Sequence, residues 1–130
     1  METGVKDAVS EEAVADLVTR FYDRLRADER LGPIFAAAIH DWDQHLQVMR
    51  DFWSAVLRRT DRYSGCVMSP HFGLRLESGD FERWLESFRP SAHEALPSEA
   101  AARAIVVAEA VSDRLRQAFE RRACATATGG

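Results

Sequence analysis

The chain has 130 residues, 46% of them hydrophobic and 29% charged, with a net charge of −4. That length and composition suit a single globular domain that buries a real core without disulfides or a structural metal. Arginines are interleaved with Asp and Glu, as in Arg20–Arg30 and Arg114–Arg122, which argues against the one-sided basic face of a nucleic-acid binder.

Read in chain order, the sequence predicts four main helices and no strand. Residues 1–10 form a flexible start, and Met1–Asp7 lacks the apolar run of a secretory leader. The first helix is expected from Glu11 to Asp28, with Ser10 as N-cap and Glu11 and Glu12 opposing the positive end of the dipole. Its apolar stripe is Val14, Leu17, Val18, Phe21 and Leu25, with Tyr22 at the edge. Leu31–Phe35 reads as a turn into a short helical piece that brings Phe35 inward. The second helix, Asp41 to Arg59, places Trp42, His45, Leu46, Met49, Phe52, Trp53 and Val56 within an arc of roughly 120°.

Thr60 to Gly79 is expected to be irregular, broken by Gly65, Pro70, Gly73 and Gly79. A third helix, Asp80 to Ala95, buries Phe81, Trp84, Leu85, Phe88 and Ala92. A fourth follows Ser98 as N-cap, with Ala101, Ile105, Ala108, Ser112, Leu115 and Phe119 on its inner face. The globular domain is thus 11–122, and 123–130 forms a small, polar, flexible tail. Cys66 and Cys124 show no metal-ligand spacing and read as free thiols in a reducing compartment. No apolar run approaches the ~18 residues of a membrane span. Together these features point to a soluble cytoplasmic protein.

Two histidines stand among apolar residues. His71 lies in the long irregular connection, where a loop of that length is usually functional or disordered; an ordinary loop histidine is the simpler alternative. His45 sits inside the apolar stripe of the second helix, where a core-edge histidine bonded to a carbonyl is the alternative. Zinc is poorly supported, because neither histidine has a ligand partner at i+3 or i+4. His40 and His93 read as surface residues. Tyr22 and Trp84 carry donors on two different helices and could converge with His45 on one small polar ligand, or could be satisfied core rings. A flat, apolar, metal-bearing group such as haem, which needs one strong imidazole ligand from the protein, fits this arrangement better than zinc.

Phe21-Tyr22, Leu31-Gly32-Pro33-Ile34-Phe35, Trp42-Asp43-Gln44-His45, Phe52-Trp53, Tyr63-Ser64-Gly65, Pro70-His71 and the run Phe81–Phe88 occur in an order and spacing that resembles the group III truncated haemoglobins over about residues 12 to 120. The resemblance implies an all-α, two-over-two helical sandwich enclosing haem b (iron protoporphyrin IX). It implies His71 as the iron ligand, with Tyr22, Trp84 and His45 on the distal side. Phe35, Met49, Phe52, Trp53, Phe72 and Phe88 would contact the haem. Arg75 and Arg62 are propionate candidates, because a guanidinium suits a carboxylate. The chain departs from relatives at Leu74–Gly79, where many carry a proline-rich stretch.

The implied function is binding of O2 and other diatomics, NO or CO, with nitric oxide dioxygenase or peroxidase chemistry dependent on an external reductase or on peroxide. A haem-free α-helical interaction or regulatory domain, with the aromatics serving only as core, is the competing reading.

Overall fold

The computed structural model describes residues 9–63 and 76–129, with side chains as far as residue 121. Five helices follow one another: α1 (Glu11–Ala27), α2 (Leu31–Ala38), α3 (Trp42–Arg58), α4 (Ser78–Ala95) and α5 (Ser98–Gly129). The chain is all-α, as the periodicity predicts. α1 packs on α3 and on α4, α4 lies against α5, and α3 touches α5. The pair α1 and α3 therefore rests on the pair α4 and α5, which is the two-over-two globin sandwich.

Capping sets most of the boundaries. The Ser10 hydroxyl accepts the Ala13 N–H at 3.0 Å and opens α1. The Asp41 carboxylate accepts the Gln44 N–H at 3.1 Å and opens α3, whose expected ends become caps. Arg59 closes α3 in the left-handed region at φ 59°, a conformation unfavourable by about 1 kcal/mol for a residue with a Cβ. α2 is a full helix through Ala38 rather than a turn with a short helical piece. α4 begins two residues before the expected Asp80 because the Asp80 carboxylate reaches back to the Glu77 N–H at 2.8 Å, half of a capping box. α5 continues as helix past Arg122, the expected end.

Pro90 lies inside α4 and cannot donate a backbone hydrogen bond to the preceding turn. The buried Ser91 next to it donates its hydroxyl to the Ser87 carbonyl at 2.9 Å and accepts from the Arg24 guanidinium at 2.9 Å. The helix passes the proline with its neighbouring polar groups satisfied and tied to α1.

The core is the inner stripe of α1 (Val14, Leu17, Val18, Phe21, Leu25) set against Phe88 and Ala92 of α4 and Trp53 and Leu57 of α3. α5 contributes small residues: Ala100, Ala101, Ala104 and Ala108 are all buried. Alanine adds little volume, so α5 approaches α4 closely along that face, while the expected Ile105 and Phe119 sit only half-buried at its edges. Each fully buried Leu, Val or Phe contributes roughly 1.5–3 kcal/mol.

Gly32 shows how tightly α2 docks on the end of α1. A Cβ there would lie 2.5 Å from the Arg26 carbonyl oxygen, a backbone atom that cannot turn aside. Gly32→Ala is expected to destabilise the fold by about 1–3 kcal/mol, read as a lower urea midpoint with an unchanged m-value. An unchanged midpoint would mean that α2 is not held this closely.

Candidate functional site

Tyr22 sits on α1 beside the core ring Phe21 and is itself buried. His45 sits on α3, one turn in from the Asp41 cap. The helices bring the Tyr22 hydroxyl and the His45 Nε2 to 3.0 Å, with the rings edge to face at 5.1 Å. When Nε2 carries no proton, Tyr22 donates this bond. Burial raises the Tyr22 phenol well above its ordinary pKa, so the hydroxyl keeps its proton across the physiological range and remains a donor.

Trp84 on α4 approaches from the other side. Its ring stands edge-on to Phe21 at 5.4 Å and stacks parallel to Phe88 at 6.0 Å. A narrow, largely apolar cleft runs between these elements, with Tyr22, Met49, Phe52, Trp53 and Trp84 in its walls and Ala108 and Val111 of α5 across from them. The α3 face above it is incompletely covered by described residues. Trp53 is buried, but Trp42, His45, Leu46, Met49, Phe52 and Val56 are only half-buried. Apolar walls with a few placed polar groups are what a small-molecule or cofactor site requires.

The sequence-based candidates divide as follows. Tyr22, His45, Trp84, Met49, Phe52 and Trp53 come together in or at the edge of the cleft. Phe35, buried in the middle of α2, lines an adjoining cavity that shares Trp84 and includes Leu76, Phe81, Ser112 and Leu115. Phe88 stands one layer back, fully buried and stacked on Trp53 at 5.1 Å. Arg62 lies 3.6 Å from Glu11, in a cluster where Ser54 donates to Glu11 at 2.8 Å and Arg58 pairs with it. His71, Phe72 and Arg75 lie outside the described residues, as does Cys66. His40 and His93 are exposed, as expected.

Sequence reasoning missed the polar frame that fixes Trp84. One turn before it, the buried Asp80 carboxylate is held by Arg30 through two bonds, 3.0 and 2.9 Å. One residue before Trp84, Arg83 grips Asp28 at 2.8 and 2.9 Å. Asp28 in turn caps α2 through the Arg30 and Leu31 N–H groups. Two crossed ion pairs thus pin the start of α4 to the α1–α2 corner. Only the spacing of Glu77 and Asp80 hinted at this; the partners lie some fifty residues apart with no local pattern.

These residues fit haem. The cleft lining is largely apolar, a buried phenol and an imidazole stand at its edge, and α3 contributes aromatic and thioether side chains, the residue types that suit an apolar ring system.

Fold and cleft define a globin. The chain matches the family model of the bacterial-like globins over residues 7–120 and belongs to that family. It is 32% identical over 90 residues to the Group 3 truncated hemoglobin ctb of Campylobacter jejuni, the match covering 65% of this chain and 71% of that one. It is also similar to the crystal structure of a group III truncated hemoglobin from Campylobacter jejuni, with a TM-score of 0.78 and 28% identity over 85% of this chain and 91% of the other. Membership of a globin family carries haem and diatomic-ligand binding with it, and group III is the group that the sequence resembles. Among the described residues no helix is long and apolar enough to cross a membrane.

The Arg30 bond holds the Asp80 carboxyl below the usual carboxylate range. A depressed pKa contributes stability above the unfolded value, about 3.9, and that stability is lost as pH falls through the lower folded value. Asp80→Asn should therefore be less stable by roughly 1–2 kcal/mol at neutral pH and lose less on acidification from about pH 5 to pH 3 than the parent. Urea midpoints across that range check it; parallel pH profiles would show that the pair adds nothing.

Proposed function

We propose that this globin binds O2 and related diatomics, NO and CO, at a haem b whose iron is ligated by His71, with Tyr22 and Trp84 as the polar groups that hold the ligand and His45 at the pocket mouth. The observation that carries this reading is the buried Tyr22 hydroxyl 3.0 Å from His45 Nε2 at the edge of an otherwise apolar cleft that Trp84 closes from the opposite helix. When bound, the haem supplies the metal centre at which the diatomic sits.

What the chain's own residues add follows from hydrogen bonding in a dry site. The Tyr22 O–H and the Trp84 indole N–H are donors only a ligand with negative charge rewards strongly, at about 1.5–3 kcal/mol each. That corresponds to roughly ten- to a hundredfold slower loss of O2 per donor, whereas CO accepts such bonds weakly. Slow release suits NO or peroxide chemistry better than oxygen delivery. Such chemistry would draw electrons from a separate reductase in the cytoplasm. Met49, Phe52 and Trp53 would keep water from the pocket, Phe35 would pack on the porphyrin face and Phe72 would contact the group, with Phe88 supporting the wall from behind. Arg75 and Arg62 are the cations offered for the propionates.

His71→Ala should abolish stable haem binding or leave a pocket that exogenous imidazole restores. An unchanged Soret band in His71→Ala, with loss in His93→Ala or His40→Ala, would overturn the ligand assignment. Tyr22→Phe and Trp84→Phe should each raise the O2 dissociation rate by at least several-fold, as a loss of ~1.5 kcal/mol requires, with little change for CO. Stopped-flow release rates decide it: equal, small changes for both gases would reduce these rings to packing residues.

A further inference from the structure

α1 and α3 are cross-linked by two rungs. The inner rung is Tyr22 to His45. The outer rung stands one turn further along each helix: Arg26, four residues after Tyr22, lays its guanidinium over the face of Trp42, three residues before His45, at 4.2 Å from the ring centroid. The rungs also touch each other. Trp42 meets Tyr22 edge-on at 6.1 Å and His45 at 6.0 Å and 86°.

Side chains on a helix lean toward its N-terminus, and residues three apart are neighbours on one face. The His45 imidazole therefore leans toward Trp42, whose indole stands edge-on to it. Trp42 packs against the core on its inner side but is only half-buried, and the exposed Arg26 guanidinium lies over its ring. A guanidinium over an indole is attracted by the ring's negative face.

We propose that Arg26 and Trp42 form a latch on the pocket mouth: the Arg26 cation fixes the Trp42 ring, and the ring holds His45 against Tyr22 in the position that obstructs ligand access. Both are positioning residues, acting through His45. The inference rests on the reading of His45 as the mouth of the pocket. Because the latch stabilises the closed, unliganded arrangement, breaking it speeds association of O2 and CO alike, while the difference between the two gases in release stays with Tyr22 and Trp84.

The test compares CO association by stopped flow in the haem-loaded parent, Arg26→Gln, Arg26→Lys, Trp42→Ala and His45→Leu. It also follows the His45 ring nitrogens by NMR in the haem-free parent and Arg26→Gln proteins. Arg26→Gln should speed association about two- to fivefold, the equivalent of an exposed cation–π contact, and Trp42→Ala should speed it further. Arg26→Lys, which keeps a cation, should stay near the parent. The His45 nitrogen signals of Arg26→Gln should move toward those of a solvent-averaged imidazole.

Unchanged association rates in Arg26→Gln and Trp42→Ala and unchanged His45 signals in Arg26→Gln, beside a faster His45→Leu, would overturn the latch and leave the gate standing. If His45→Leu is also unchanged, the latch falls together with the reading of His45 on which it rests. Should Trp42→Ala fail to fold, Arg26→Gln decides alone, since it alters an exposed side chain.

Discussion

Phe88 is wholly buried and lies between two indoles, stacked on Trp53 of α3 at 5.1 Å and on Trp84 of α4 at 6.0 Å, with Phe21 of α1 edge-on at 5.3 Å. Three helices meet on that one ring. Aromatic pairs in such geometries add about 0.5–1.5 kcal/mol each beyond the area they bury. Their more important effect here is positional. By fixing Trp53 and Trp84, the stack sets two walls of the cleft, and by fixing Phe21 it turns the next residue, Tyr22, toward α3. The polar groups of the site are outgrowths of an apolar junction, so the pocket is as rigid as the core behind it.

Around that junction the charges do local work. Arg30 with Asp80 and Arg83 with Asp28 fasten the beginning of α4, where the chain emerges from the segment that carries His71. At the far end, Arg24 and Arg20 hold Glu94, tying the last turn of α4 to α1. Exposed pairs contribute little individually, but placed at both ends of one helix they restrict how α4 can slide, and Trp84 lies between them. The globin sandwich is thus clamped along the helix that supplies one of the two proposed donors.

Much of this was legible in the sequence because burial imposes a period. The α1 stripe and the aromatic run Phe81–Phe88 follow directly from 3.6-residue spacing, and the Ser10 cap follows from side-chain chemistry. The arc on α3 was also visible, yet periodicity does not distinguish a face covered by protein from one left for a cofactor; that Trp42, Met49 and Phe52 are only half-buried emerges from the fold alone. α5 was harder. An alanine-rich helix offers several equivalent faces, so Ala100 and Ala104 were overlooked in favour of larger neighbours. The Arg30–Asp80 pair itself had no signal beyond the capping-box spacing of Glu77 and Asp80, because ion pairs between remote residues obey no local rule. His71 was selected from its loop and from the family resemblance, and it lies outside the described residues.

The central claim is that the cleft between α1, α3, α4 and α5 is a haem pocket with one protein ligand to iron. Titration of the purified chain with hemin, followed by its visible spectrum, tests this most directly. The account predicts an intense Soret band that saturates at one haem per chain, and bleaching of the Trp fluorescence as Trp53 and Trp84 come within quenching range of the bound group. A chain that stays colourless, with its fluorescence unaltered by hemin, would contradict it and leave the aromatic cluster as core alone.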